Sequence, residues 1–142
     1  GQPWKTQCEV RKLMQKEYGL GTNGLSGNDD SGQMSAWYIF AALGFYPVCP
    51  VGGYYTIASP LFKRVVIRLS RGKKFTILAY HVSSKNIYIQ SARLNGKPFN
   101  QCWIRHQTLL DGGKLEFVMG PEPERTWGIL GIPEKASSLF NK

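Results

Sequence analysis

The chain has 142 residues, 42% of them hydrophobic and 13% aromatic, which is enough to bury a core. Its formal net charge of +9 comes wholly from residues 51–142, which carry fourteen basic and five acidic residues. These cations are scattered along predicted strands without a recognisable nucleic-acid-binding motif, so we expect solvated strand faces and no nucleic-acid partner, and no apolar run is long enough to span a membrane.

The first predicted element is a helix over Trp4–Tyr18. Pro3 suits a first helical turn, apolar side chains recur at helical spacing after it, and Gly19 ends the pattern. A glycine-rich segment follows over residues 19–27, and we expect it to be a flexible connection to the second helix.

The second predicted helix, over Gly32–Leu43, is apolar on nearly every face, so most of its surface has to be buried. Gly44 is its predicted end, and Pro47 prevents its continuation. Two such helices cannot bury their own surface, and a sheet covers only one side of them. We therefore expect either partners outside this chain or self-association through the exposed helices.

From about residue 52 the hydrophobic period changes from 3.6 to 2, which predicts strands. The predicted strands are Tyr54–Ala58, Arg64–Leu69, Phe75–Ala79, Ile87–Leu94 and Leu115–Met119. The residues at 70–73 predict a hairpin, and Asn-Gly at 95–96 predicts a tight turn leading to a short strand around Phe99. The pattern indicates an α+β chain in which an antiparallel β-sandwich or sheet follows two helices.

These changes of pattern divide the chain into three parts. Residues 1–50 form the helical segment and residues 51–128 the β domain. After Trp127 the chain has no strong period, and we expect residues 129–142 to be a tail. The chain opens with Gly-Gln-Pro rather than Met, which suggests a piece of a longer protein.

The most informative segment is GNDDSGQMSAWY, residues 27–38, which sets two adjacent carboxylates before the second helix. Asp30 and Gln33 have the spacing of a capping box, in which each side chain satisfies a free backbone N–H, and Asp29 then points elsewhere. The helix dipole favours the ionised form of both carboxylates, which suits a general base or a cation contact better than a proton donor. The two roles are compatible, and Asp30 can fill both.

The cysteines and histidines carry less information. The cysteines, Cys8, Cys49 and Cys102, show no metal-ligand or redox spacing and allow at most one disulfide, so they do not indicate a compartment. His81 and His106 lack neighbouring ligands, and we predict surface or packing positions for them. The sequence therefore predicts no metal site from these residue types.

Five segments, in order, resemble the carboxy-terminal part of glycoside hydrolase family 92. They are GQPWKTQ at 1–7, GNDDSGQMSAWY at 27–38, GFYPV at 44–48, SPLF at 59–62 and LNGKP at 94–98. Members of that family are calcium-dependent exo-α-mannosidases, many of them α-1,2-specific, that invert the anomeric centre. The resemblance covers nearly the whole chain and weakens after about Gly128.

Family members join an amino-terminal β-sandwich to an (α/α)6 barrel whose active site includes the Gly-Asn-Asp-Asp segment. The resemblance implies that both helices are late helices of such a barrel. It also implies a mannose-containing glycan as partner and a secreted or periplasmic parent protein. Calcium would be bound in the full-length parent largely by upstream residues, so this chain alone is not expected to hold the ion.

An inverting glycosidase needs a protonated acid and an ionised base, about 6.5–9.5 Å apart. The resemblance implies that Asp29 and Asp30 supply the base and that the acid is an upstream glutamate. Glu9 and Glu17 lie on the first helix and match no acid motif. We therefore expect the isolated chain to be inactive.

Three further residues are candidate substrate contacts. Asn28 and Gln33 flank the carboxylates, and Trp4 has a ring that can stack on a sugar, although helix packing is the competing explanation. A second function from a different class is a non-catalytic carbohydrate-binding β module. An exposed row of aromatic residues on the sheet would favour it, whereas the acidic pair and the apolar helix favour the enzyme.

Overall fold

The computed structural model describes residues 1–129, so all of the predicted tail except Ile129 lies outside the described residues. The helices are α1 (Pro3–Lys16), α2 (Gln33–Leu43) and α3 (His106–Asp111). The strands are β1 (Phe45–Tyr46), β2 (Tyr54–Ile57), β3 (Arg64–Arg68), β4 (Lys74–Tyr80), β5 (Tyr88–Leu94), β6 (Lys97–Pro98), β7 (Trp103–Arg105) and β8 (Gly113–Gly120). Within residues 1–129 no helix is both long and apolar enough to cross a membrane.

The strands form two sheets, which confirms the α+β class. The smaller sheet has the order β1-β2-β7 and the larger β3-β4-β8-β5-β6. The pairs are antiparallel, as predicted, except that β4 and β8 run parallel. The predicted turn at 95–96 joins β5 to β6, with Asn95 and Gly96 both at positive φ, and residues 70–72 turn β3 back along β4.

The inward side chains of both sheets share one hydrophobic core. Phe75, Ile77 and Phe117 from the larger sheet pack together with Ile57 and Ile104 from the smaller one. The core also takes in Trp127, which donates from its indole Nε1 to the carbonyl of Phe99 at 3.0 Å. The core-facing side chains of the strands follow the predicted two-residue period.

Helix α1 packs on the larger sheet through polar side chains. Gln7 is 1% exposed, and its Oε1 accepts a hydrogen bond of 2.8 Å from the backbone N–H of Ile89, where a bulge interrupts the pairing of β5. Arg11 is also buried and donates from Nε to Ser59 Oγ at 3.0 Å. The helix ends at Lys16, two residues before the predicted end at Tyr18.

Helix α2 begins one residue after its predicted start and ends where predicted. Gly44, at φ 97°, donates its N–H to the carbonyls of Phe40 and Ala41 and closes the helix. Within the described residues α2 buries only Ala41 and Ala42 fully, and Ile39 remains 58% exposed. Self-association through this surface stays a prediction, and sedimentation velocity of the chain tests it.

Replacing Gly44 by alanine is expected to destabilise the chain more than the same change at Gly53. Both glycines have positive φ, which costs an L-residue about 1–2 kcal/mol. An added Cβ at Gly44 would also lie 2.9 Å from Pro60 Cβ, whereas nothing lies within 4 Å at Gly53. Urea unfolding of Gly44→Ala and Gly53→Ala measures the difference, and equal losses would contradict the close contact with Pro60.

Candidate functional site

The two carboxylates lie at a strained turn directly before α2. Residues Asp30–Gly32 form one turn of 3₁₀ helix, which the N–H of Gly32 closes on the carbonyl of Asp29 at 3.2 Å. Ser31 and Gly32 both have positive φ, at 53° and 77°. Such a conformation is unfavourable for serine and is found preferentially at functional sites. Because of this reversal, α2 begins only at Gln33.

Asp29 lies four residues before the first residue of α2 and caps the helix with its side chain. Its Oδ1 accepts from the backbone N–H groups of Met34 at 2.7 Å and Ser35 at 3.2 Å, and its Oδ2 accepts from Ser35 Oγ at 2.5 Å. The Ser35 hydroxyl is the main reason why the pKa of Asp29 lies below its ordinary value, and the two N–H groups add to it against partial desolvation. The carboxylate of Asp29 is therefore fixed in position by these hydrogen bonds, which favour its ionised form.

The capping box predicted for Asp30 and Gln33 is wrong. The Ser31-Gly32 turn separates Asp30 from the helix, so the first free N–H groups of α2 point at Asp29 and not at Asp30. The Ser-Gly dipeptide is a turn signal that marks this interruption in the sequence. The assignment of cap and free carboxylate is thus the reverse of the expected one.

Asp30 is the free carboxylate of the pair. Its side chain is exposed and has no hydrogen bond or ion pair with any residue among 1–129. The side chains of Asn28 and Gln33 are exposed beside it and likewise make no hydrogen bond within the described part of the chain. The structure therefore brings four of the five predicted site residues to one turn and leaves three of them available to a ligand.

Tyr18 belongs to this site, although the sequence assigned it only to the first helix. Its hydroxyl donates to the carbonyl of Met34 at 3.1 Å, and its ring stacks on Trp37 with centroids 5.5 Å apart. Burial raises the pKa of Tyr18, and the negative charge of Asp29 raises it further. Tyr18 thereby fixes the first turn of α2, and hence Asp29, relative to the end of α1.

An open depression of 440 Å³ adjoins the capped turn. It is lined by Tyr18, Gly19, Leu20, Leu25, Ser35, Tyr38 and Ile39. Ser35 links the two features, because it donates to Asp29 and also lines the depression. Asp29 is therefore hydrogen-bonded to a residue that lines a concave surface with aromatic side chains, whereas Asp30 is not among the lining residues.

Trp4 lies at the opposite end of α1. It is separated from Lys16 by twelve residues, which corresponds to about 18 Å along a helix. Its ring contacts the guanidinium of Arg125, whose Cζ is 5.9 Å from the ring centroid. Among the described residues, Trp4 is therefore the predicted contact that the fold does not bring to the carboxylate pair.

The described residues do not fit a closed calcium site. Among residues 1–129 no group of three or more His, Cys, Asp or Glu side chains is placed to hold a metal ion. Calcium takes six to eight oxygen ligands, and both oxygens of Asp29 are already occupied by hydrogen bonds. A calcium requirement of the full-length protein stays a prediction.

Glu9 and Glu17, the two glutamates of the helical segment, are both paired with lysines. Glu9 accepts from Lys12 Nζ at 2.8 Å, and Glu17 pairs with Lys16 Nζ at 3.1 Å. A hydrogen bond from Ser26 and the pair with Lys16 lower the pKa of Glu17. A general acid needs a raised pKa, so Glu17 is shifted in the wrong direction for that role.

Both histidines lie on the surface, as predicted. His106 shares a hydrogen bond of 2.8 Å between its Nδ1 and the hydroxyl of Tyr55 on the surface, and His81 is exposed. The three cysteines, all within the described residues, are free thiols.

A family model and a sequence relative both show similarity of this chain to glycosidases. Residues 1–121 match the family model of the glycosyl hydrolase family 92 catalytic domain. An uncharacterized secreted glycosidase of Arthroderma benhamiae is 37% identical over 131 residues, which cover 90% of this chain and 17% of that protein.

Solved structures match over the same length. A family GH92 inverting mannosidase from Bacteroides thetaiotaomicron is 45% identical, with a TM-score of 0.85 over 90% of this chain and 17% of that one. A GH92 α-mannosidase of the same organism, in complex with mannoimidazole, is 40% identical, with a TM-score of 0.84 over 92% of this chain and 18% of that one. This chain spans about a sixth of the length of these relatives.

Proposed function

Because this chain belongs to glycoside hydrolase family 92, we propose that it forms the carboxy-terminal part of the catalytic region of an inverting exo-α-mannosidase. In this proposal residues 1–50 complete an (α/α)6 barrel, and the substrate is a mannose-containing glycan with α-1,2 linkages. The two solved relatives are a mannosidase described as inverting and an α-mannosidase. The Arthroderma relative is described as secreted, which supports secretion of the full-length protein.

The proposal rests on the different hydrogen bonding of the two carboxylates. Asp30 is exposed and unpaired within the described residues, so it can accept a proton from water. Asp29 is held by three donors and has a lowered pKa, so it is less basic and acts as a positioning residue. Asp30 is accordingly the general base, and Asp29 with Ser35 keeps its backbone in place.

In the reaction, Asp30 removes a proton from a water molecule that attacks the anomeric carbon from the face opposite the leaving group. An acid on the other side of the sugar protonates the departing oxygen, and the separation of about 6.5–9.5 Å leaves room for the water. In our proposal the exposed amides of Asn28 and Gln33 donate hydrogen bonds to sugar hydroxyls. The acid comes from outside this chain in our proposal.

The test is the stereochemistry of hydrolysis by the full-length protein. An α-mannobiose with a 1,2 linkage is incubated with the enzyme and followed by NMR from the first minutes. β-Mannose is expected to appear first and then to mutarotate. Initial release of α-mannose, or no hydrolysis of any α-mannoside, would overturn the proposal.

No observation favours the alternative of a carbohydrate-binding β module. Such a module would present a row of aromatic rings on its outer sheet. Among the described residues the outward side of the larger sheet carries two aromatic residues on separate strands: Tyr80, whose hydroxyl donates to Glu116 at 3.0 Å, and the half-buried Tyr88, which pairs with Gly120. The aromatic residues Trp103 and Trp127 are buried.

A further inference from the structure

The chain contains two Asn-Gly dipeptides, and one of them lies in the loop that leads to the aspartate pair. Asn23-Gly24 is in this loop, and Asn95-Gly96 forms the turn between β5 and β6. In such a dipeptide the backbone nitrogen of the glycine can attack the side-chain carbonyl carbon of the asparagine, because glycine has no Cβ to obstruct the approach. Ammonia leaves, a succinimide ring forms, and water opens the ring to aspartate or isoaspartate. The reaction needs no enzyme and no cofactor, but the two groups must be free to meet.

Residues 19–24, which we call the glycine loop, are closed at their base by an antiparallel bridge between Tyr18 and Leu25. The N–H of Gly19 donates to the carbonyl of Gly24 at 2.6 Å. An added Cβ at Gly24 would lie 2.5 Å from the carbonyl oxygen of Gly19, so no larger residue fits there. The closure of the loop therefore requires the glycine that makes Asn23 susceptible.

The two reacting groups of Asn23-Gly24 are accessible to each other. The side chain of Asn23 is exposed and makes no hydrogen bond with any residue among 1–129. The attacking nitrogen of Gly24 donates to the carbonyl of Gly21 at 3.1 Å, and opening of this turn bond releases it. Exposed turns of this kind open at a small cost in free energy. The glycine loop therefore permits the attack without unfolding of the rest of the chain.

Asn95 has the same neighbour, but its side chain is held in place. Its Oδ1 accepts from the backbone N–H of Lys114 at 2.8 Å, and its own backbone N–H donates to the carbonyl of Lys114 at 2.8 Å. The carboxamide also packs directly against Gly113. These contacts lie beside the pairing of β5 with β8, so the side chain can leave them only when that end of the sheet opens. The structure thus distinguishes two dipeptides that the sequence makes equivalent.

We propose that Asn23 is a site of spontaneous deamidation in the folded chain and that Asn95 is protected from it. Both products replace a neutral amide by a carboxylate in the loop that precedes Asp29, and isoaspartate also inserts a methylene group into the backbone of that loop. Gly19 and Leu20 of the glycine loop line the depression beside Ser35. The modification therefore slowly changes the charge and the shape of one wall of the depression. The chemistry depends on the loop alone and does not rest on the proposed function.

The experiment follows deamidation at both sites in the folded chain. The chain is kept in mildly alkaline buffer, where the attacking nitrogen loses its proton more readily, and samples are digested and analysed by mass spectrometry over time. Peptides that contain Asn23 or Asn95 report the two sites separately, and heavy-oxygen water labels each new carboxylate. A parallel sample in guanidinium chloride removes the effect of the fold. The matched variant Asn23→Gln keeps an amide at this position but requires a larger ring for the attack.

In the folded chain Asn23 is expected to deamidate on the order of tenfold faster than Asn95, because Asn95 reacts only after local opening of the sheet. In guanidinium chloride the two rates are expected to converge. An isoaspartyl methyltransferase should label the aged chain and not aged Asn23→Gln.

Equal rates at the two sites in the folded chain, or no product at Asn23, would overturn the proposal. A difference that persists in guanidinium chloride would overturn it as well, since the flanking residues and not the fold would then protect Asn95. The readout does not include turnover, so a full-length protein without mannosidase activity would contradict the proposed function and leave this modification site standing.

Discussion

Asp30→Asn in the full-length enzyme is expected to lower kcat by about 10²–10⁴-fold, which is the usual contribution of a general base. The amide cannot take a proton from the attacking water. Because the Asp30 side chain makes no hydrogen bond within the described residues, the substitution leaves the capped turn intact and KM nearly unchanged. Initial rates with an aryl α-mannoside measure the effect, and the unfolding midpoint establishes that the fold is retained.

Asp29→Asn is the matched control, since it changes the neighbouring carboxylate in the same way. An asparagine Oδ1 still accepts from the N–H groups of Met34 and Ser35, and only the charged bond from Ser35 Oγ is lost. We expect a fall in kcat of about tenfold or less, far below the contribution of a general base. A larger loss than in Asp30→Asn would reverse the two roles, and near-normal rates in both would mean that the pair is structural only.

The sequence predicts a candidate site but not its internal arrangement. The pair of aspartates before an apolar helix, and the resemblance to family 92, predict that site on residues 27–38, and its catalytic role stays a prediction. Spacing alone made Asp30 the cap, because a capping box assumes a continuous first turn. Ser31 at positive φ breaks that continuity. The Ser-Gly dipeptide signals a turn there, but the positive φ of a non-glycine residue does not follow from local propensity.

In the fold, too, features set by neighbouring residues could be predicted from the sequence, whereas features set by distant residues could not. Helix α2, the hairpin at 70–73 and the turn at 95–96 follow from local signals and were predicted. The parallel pairing of β4 with β8 was not, because parallel and antiparallel strands share the two-residue period. The burial of Gln7 and Arg11 was also missed, since it depends on a bulge at Ile89 and on Ser59, partners far away in the chain.

Some basic residues that are far apart in the sequence lie close together in the fold. In the sequence Arg64, Lys74 and Lys114 are separated by ten residues or more, which favoured solvated strand faces. In the sheet they lie on three neighbouring strands and on one side. The order β3-β4-β8 is what brings them together, and strand order cannot be obtained from periodicity.

The chain by itself is expected to show no turnover of α-mannosides, with or without added calcium. Asp30 can accept a proton, but in our proposal the acid that donates one comes from outside this chain. Glu9 and Glu17 are engaged by lysines, and the pKa of Glu17 is lowered. If this chain supplies only the base, no group protonates the leaving oxygen of an inverting displacement. In addition, the depression beside Ser35 is open, so it cannot exclude water from a bound sugar.

Two substrates and a reconstitution make this test decisive. A 2,4-dinitrophenyl α-mannoside needs little acid assistance, whereas a mannobiose needs it fully, and we expect neither to be hydrolysed, because a base without a complete sugar site cannot orient the substrate. Adding the separately produced upstream part of the polypeptide should restore hydrolysis with the unchanged chain and not with Asp30→Asn. A kcat of about 1 s⁻¹ or more for the chain alone, which is ordinary for an enzyme, would show that residues 1–142 contain a complete active site and that the proposed upstream acid is wrong.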